Sequence, residues 1–275
     1  MNILICVACM RGAGPQLRFG DIFGSIDPDS RLTLLHVLGR QADEREVELC
    51  LEEARGTLEN SSVVTKIRRG DPAPQIVAEL ETEGYDLVVL GPNEALGMKR
   101  HILGSVANHV VRRAPTSVLV AQQVRLALEH ILICTGGTEV AIQVIETGAK
   151  LAQKLGARAT LLHVVTPVAS MYAGLDEIDE SLTELLQTDT PIARHLRRGA
   201  EILERHQVSA TLQLRYGVVA DEIIRESRES DIDLILIGAS KGMAQLKRLM
   251  LGEVTQQVVE RASRSVLVVK EVLGV

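Results

Sequence analysis

The residues best suited to chemistry stand in two glycine-bearing loops. One runs from Gly91 through Glu94, Lys99 and Arg100 to Gly104-Ser105-Val106; the other runs from Gly238 through Gly242, Lys247 and Arg248 to Gly252-Glu253-Val254. Helical patterns follow at 106–113 and 254–262. Glycine admits positive φ and lets backbone approach a ligand closely. The amides that open a helix, with its dipole behind them, attract an anion. Gly104-Ser105 therefore suits a phosphate, with the serine hydroxyl as one more donor, and suits equally a structural turn with a serine cap. The Lys-Arg pairs could neutralise a polyphosphate, or simply keep a loop face solvated. Gly136-Gly137-Thr138, at the end of an apolar run, could line a cavity or form a tight turn before a helix.

Other reactive groups suggest less. Cys6-Val7-Ala8-Cys9 has redox spacing, but side chains three apart in a strand point to opposite faces, whereas a redox pair should open a helix. Four cysteines, Cys6, Cys9, Cys50 and Cys134, are too few for a disulfide framework in 275 residues and read as core thiols. His36 and His163 occupy matching strand positions and read as hydrogen-bonded packing residues. His101 and His109 join no metal constellation. No phosphate-loop motif, dinucleotide fingerprint or nucleophile elbow is present, since Gly12-Ala13-Gly14 lacks the third glycine.

What positions the loops is a unit written twice. Ile3–Cys6 returns as Ile131–Cys134, Leu34–Val37 as Leu161–Val164, Asp86–Gly91 as Asp233–Gly238, and Ser117–Val120 as Ser265–Val268. The offset grows from 128 to 147–148, which places an insertion in the second copy near 166–191. Leu175, Ile178, Leu182, Leu185 and Leu186 give that insertion an amphipathic helical spacing, suited to covering its own domain or to meeting a partner. The repeat predicts domains at 1–124 and 128–275.

Each copy alternates short β-branched runs with helical patterns. Strands are predicted at 3–7, 32–38, 63–68, 86–90 and 117–121, then at 130–135, 159–165, 210–215, 233–237 and 265–269. Helices are predicted at 44–58, 74–83, 140–155 and 221–230. That rhythm means right-handed βαβ crossovers and an α/β fold with a parallel sheet covered on both faces. The more polar third runs, 63–68 and 210–215, suit sheet edges. Ligands of such sheets lie beyond the carboxyl ends of the strands.

Composition excludes several classes. Thirty basic against thirty-six acidic residues give a net charge of −6, without the basic footprint of a nucleic-acid binder. No tryptophan, three tyrosines and two phenylalanines make a base-stacking platform unexpected. No apolar run approaches a membrane span, and no basic residue precedes the first apolar stretch, so neither membrane nor signal peptide is expected. The expectation is a cytoplasmic two-domain protein.

Both copies resemble the universal stress protein family, over essentially the whole chain apart from the insertion. The resemblance rests on the two loops, on Gly70-Asp71-Pro72-Ala73 and Gly217-Val218-Val219-Ala220, and on the strand segments above. It implies five parallel strands per domain in the order 3-2-1-4-5, domains paired through their fifth strands, and in some members ATP binding without established catalysis. The family loop reads Gly-x-x-Gly-x9-Gly-Ser/Thr. Carried over position by position, the resemblance implies a pocket formed by Val37, Gly91, Gly104, Ser105 and Val106 in the first copy. In the second copy it implies Gly136, Val164, Gly238, Gly242, Gly252 and Val254.

This sequence departs from the family pattern. Glu94 replaces the second glycine of the first loop. The second loop has one extra residue after Gly238, and Glu253 stands at the hydroxyl position, where its carboxylate could act as a built-in substitute for phosphate. ATP-binding relatives carry an aspartate at the end of the first strand; here the residues are Ala8 and Gly136, so no metal is expected. The reading is a non-enzymatic stress-response or regulatory protein with altered nucleotide loops. The alternatives are an adenine-nucleotide binder, for ATP or AMP, and a weak ATP-hydrolysing enzyme. A regulatory protein partner and a homodimer of tandem chains are the expected associations.

Overall fold

The computed structural model describes residues 1–8, 14–27, 29–39, 43–59, 62–92, 104–122, 127–137, 139–166, 182–239, 252–270 and 273–274. The first copy comprises β1 (Asn2–Cys6), α1 (Pro15–Ile26), β2 (Arg31–Leu38), α2 (Glu44–Gly56), β3 (Val63–Arg69), α3 (Pro72–Thr82), β4 (Leu87–Leu90), α4 (Ser105–Arg113) and β5 (Ser117–Val120). The second comprises β6 (His130–Thr135), α5 (Glu139–Leu155), β7 (Arg158–Val165), α6 (Leu182–Gln187), α7 (Pro191–Arg205), β8 (Ala210–Tyr216), α8 (Val219–Glu229), β9 (Leu234–Gly238), α9 (Glu253–Arg261) and β10 (Ser265–Val269). Contacts divide the chain into two compact units, residues 1–127 with 239–275, and residues 128–238. This division differs from the sequence repeat because α9 and β10 pack with the first copy.

In the first unit the strands run β3-β2-β1-β4-β5-β10. The first five are parallel in the expected 3-2-1-4-5 order, with Ile5 opposite Leu34 on one side and Val89 on the other. The two fifth strands meet as an antiparallel pair, Leu119 opposite Leu267. The pair is closed reciprocally: the Gln122 amide donates to Ser265 Oγ at 3.0 Å, and the Lys270 amide to Ser117 Oγ at 3.2 Å. In the second unit β9-β6-β7-β8 are all parallel, repeating the first four places of the order.

Central strands are apolar because helices cover both of their faces. Ile3, Leu4, Ile5, Leu87, Val88, Ile131, Leu132 and Leu234 are all buried. The mixed runs form β3 and β8, each ending its sheet order as expected. Both edges are clamped by the same device. Arg68 on β3 donates to the buried Glu79 of α3 at 2.6 Å, and Arg215 on β8 to the buried Glu226 of α8 at 2.5 Å. The glycine after each edge strand, Gly70 at φ +132° and Gly217 at φ +147°, takes a conformation that side chains rarely adopt.

The structure differs from the sequence reading at two helices and one cysteine, and the insertion takes one of its two expected roles. Helices α1 and α7 were not among those predicted; each opens with proline, at Pro15 and Pro191, and Thr190 caps α7 by accepting from the Ala193 amide. Of the insertion, α6 covers its own domain: Leu182, Leu185 and Leu186 pack against Ile192 and Leu196 of α7 and Leu212 and Leu214 of β8. Leu175 and Ile178 lie outside the described residues. The reading of every cysteine as a core thiol fails at Cys50, which is disulfide-bonded. Helix α2 buries only Val47, Leu51 and Ala54, so Cys50 is not fully enclosed. Cys6 and Cys134 are free, and burial pushes the Cys6 thiol up to about 12, which removes it from redox work.

Candidate functional site

The pocket expected in the first copy lies where β1 and β4 end side by side, Cys6 opposite Leu90. His36 on β2 reaches this edge, and its Nδ1 donates to the Val7 carbonyl at 2.8 Å. His163 repeats the arrangement in the second copy, donating to the Thr135 carbonyl at 3.0 Å. A carbonyl only accepts, so each ring carries its proton on Nδ1. The duplicated histidines pin the exit of the first strand, in agreement with their reading as hydrogen-bonded packing residues.

Gly91 follows β4 directly. Its φ is not positive; what its missing side chain provides is space. A Cβ placed there would lie 2.6 Å from Gln16 Oε1, and one on Gly14 would lie 2.7 Å from the same atom. Gln16 stands in the first turn of α1 and is only 6% exposed, and among the described residues its Oε1 has no hydrogen-bond partner. The sequence reading missed this residue.

Helix α4 begins after Gly104, which is extended at φ −62° and ψ 152° and supplies no side-chain cap. The first intrahelical bond runs from the Asn108 amide to the Gly104 carbonyl, at 3.0 Å. The amides of Ser105, Val106 and Ala107 therefore precede it, the arrangement that attracts an anion. Ser105 is exposed at the first helical position, and Val37 is half-buried on β2. Glu94 and the Lys99-Arg100 pair lie outside the described residues.

The second copy is built differently at the same places. Val144, only 1% exposed, stands 128 residues after Gln16, and its Cγ2 would lie 3.1 Å from a Cβ on Gly238, the counterpart of Gly91. Thr135 Oγ1 and His195 Nε2 are 2.6 Å apart, and the Gly137 amide donates to Thr135 Oγ1 at 3.3 Å. Gly137, rather than Gly136, carries the positive φ, +74°, and a Cβ there would meet Ile192 Cδ1 at 2.7 Å. Ile192 and His195 both belong to α7, so that helix covers the turn after β6. Thr135 and His195 are a hydroxyl and a base in contact, but at 6% and 7% exposure they latch α7 to β6 rather than face a substrate. Val164 is buried on β7. Gly252 and Val254 lie in the first unit, and Gly242 lies outside the described residues. Glu253 opens α9, where its Oε1 accepts from Gln257 Nε2 at 3.3 Å.

The Universal stress protein family profile matches residues 24–122 and again 127–270. The chain belongs to the universal stress protein family. Universal stress protein MJ0531 of Methanocaldococcus jannaschii is 29% identical over 145 residues, covering 52% of this chain and 82% of that protein. The crystal structure of PA1789 from Pseudomonas aeruginosa PAO1 matches with a TM-score of 0.74 at 20% identity, covering 98% of this chain and 92% of that one, which shows a shared tandem fold. A universal stress protein solved in complex with cAMP is 17% identical, covers 52% of this chain and 97% of that one, and superposes with a TM-score of 0.39. Among the described residues of this tandem universal stress protein, no helix is long and apolar enough to cross a membrane, and no group of three or more His, Cys, Asp or Glu could hold a metal.

Proposed function

We propose that this tandem universal stress protein is a non-catalytic, cytoplasmic regulator whose first copy takes an adenine nucleoside phosphate and whose second copy serves as a closed scaffold. One contrast carries the reading. Beside the glycine after the fourth strand, the first copy has a buried amide whose oxygen lacks a partner, and the second has a valine. The phosphate would be held by the amides opening α4, at Ser105 and Val106 beyond Gly104, with the Ser105 hydroxyl as a further donor. Val37 and Gly91 would flank the nucleoside. Ala8 offers no ligand for a divalent cation, so the residues present fit a nucleoside phosphate better than a magnesium-bound triphosphate.

In the second copy the positive-φ turn lies under Ile192 and His195. A protein partner would read the filled or empty state of the first copy; the bound nucleotide would supply shape and charge, not a reaction.

Thermal shift and calorimetry with AMP, ADP, ATP and cAMP, with and without magnesium, test the reading. Micromolar binding that needs no magnesium and is abolished by Ser105→Glu supports it. No heat and no thermal shift with any of the four refutes it, and slow conversion of ATP to ADP refutes the non-catalytic part.

A further inference from the structure

Gln16 poses a question that the fold does not answer. A buried polar atom without a partner costs stability, and such atoms are uncommon in native proteins. Among the described residues Gln16 Oε1 is one, on a side chain whose residue is only 6% exposed. Its side chain does not cap α1, since that helix opens from Gly14 with no side-chain cap hydrogen bond. Nor does packing require an amide. The chain contains its own control in Val144, which fills the equivalent place beside Gly238 with no polar atom. The amide lies against Gly91 and Gly14, at the carboxyl ends of β1 and β4, where ligands of parallel sheets gather.

The geometry points to Gln16 as the specificity-determining residue of the first-copy pocket: its Oε1 accepts a hydrogen bond from a hydroxyl or amino group of a nucleoside phosphate. This inference rests on the nucleotide reading above and adds to it a residue outside the family loop. The ligand it selects carries two features, an anion for the start of α4 and an uncharged donor for Gln16. An inorganic phosphate satisfies only the first. The free protein bears the cost of the unpaired oxygen, and the ligand removes it.

The test compares the wild type with Gln16→Met, which keeps the length and flexibility of the side chain without the acceptor. Gln16→Val, carrying the second copy's own residue, serves if methionine disturbs folding. Calorimetry with AMP, 2′-deoxy-AMP, 3′-deoxy-AMP, N6-dimethyl-AMP and inorganic phosphate accompanies thermal melting without ligand. The expected result is a melting temperature raised by about 2 °C, AMP affinity lowered about tenfold or more, and phosphate affinity unchanged. One of the three AMP analogues should bind wild type and variant equally, because it lacks the donor that Gln16 reads. A raised melting temperature with unchanged AMP affinity assigns the amide to a buried water and overturns the inference while leaving the nucleotide reading intact. A lowered melting temperature with loss of both ligands makes Gln16 structural and overturns it too. Wild-type protein that binds none of the probes overturns both.

Discussion

At the scale of single residues, the two copies diverge where the family loop does not reach. Gly91 and Gly238 hold the same place after the fourth strand, yet an amide lies against the first and a methyl group against the second. Gly91 was legible in the sequence, but the conformational reason for it was not the operative one, since its φ is not positive. Its role is to leave room for Gln16. A methyl group there would displace the end of a flexible side chain, not backbone, so Gly91→Ala should cost less than about 1 kcal/mol of stability. It should nonetheless weaken AMP binding several-fold, because the amide is pushed off its position. Urea unfolding alongside calorimetry checks both halves. Gln16 itself escaped the sequence reading because a glutamine in a helix's first turn has no motif. The signal that could have found it is the repeat offset, which pairs it with Val144.

At the scale of elements, strands were easier to read than helix ends. Runs such as Ile3–Ile5 and Leu234–Ile237 declare themselves by continuous apolarity, and the polar third runs by their edge position. Helix α1 was missed because Gly20 and Gly24 dilute its pattern, and α7 because it follows the insertion. The clamps between edge strand and helix were also illegible, since Arg68 and Glu79 are joined only by tertiary folding.

These clamps carry a pH dependence. Burial alone would raise the Glu79 carboxyl, but hydrogen bonds from Lys66, Arg68 and Tyr85 outweigh it and hold the group below its usual range. Its stabilising contribution is therefore complete at neutral pH, and fades as pH falls below the ordinary glutamate value and through the folded one. Glu79→Gln should cost about 2 kcal/mol at pH 7. Its unfolding free energy should then approach the wild type's in acid; a gap independent of pH would show that the ion pairs are not the source.

At the scale of the whole chain, the two copies meet through like strands. The fifth strand of the second copy pairs with the fifth strand of the first, closed by Ser117 and Ser265 from opposite sides. The sequence predicted that meeting through the family resemblance. It could not show that β10 and α9 would pack in one unit with the first copy, because a parallel and an antiparallel neighbour leave the same apolar strand. Residues 1–124 expressed alone would leave open the β5 edge that pairs with β10, and an open strand edge seeks a partner strand. That fragment should run as a dimer in light scattering, and Leu119→Lys should make it monomeric. A monomeric parent fragment would remove the β5 edge as the joining element.

The stoichiometry of nucleotide binding to the full chain bears most directly on the claim that one copy is open and the other closed. Equilibrium dialysis with labelled AMP should saturate at one molecule per chain, fall to none in Ser105→Glu, and remain at one when Gly137→Ala alters the second copy. Saturation at two molecules per chain, or a single site lost through the second-copy change alone, would contradict the account.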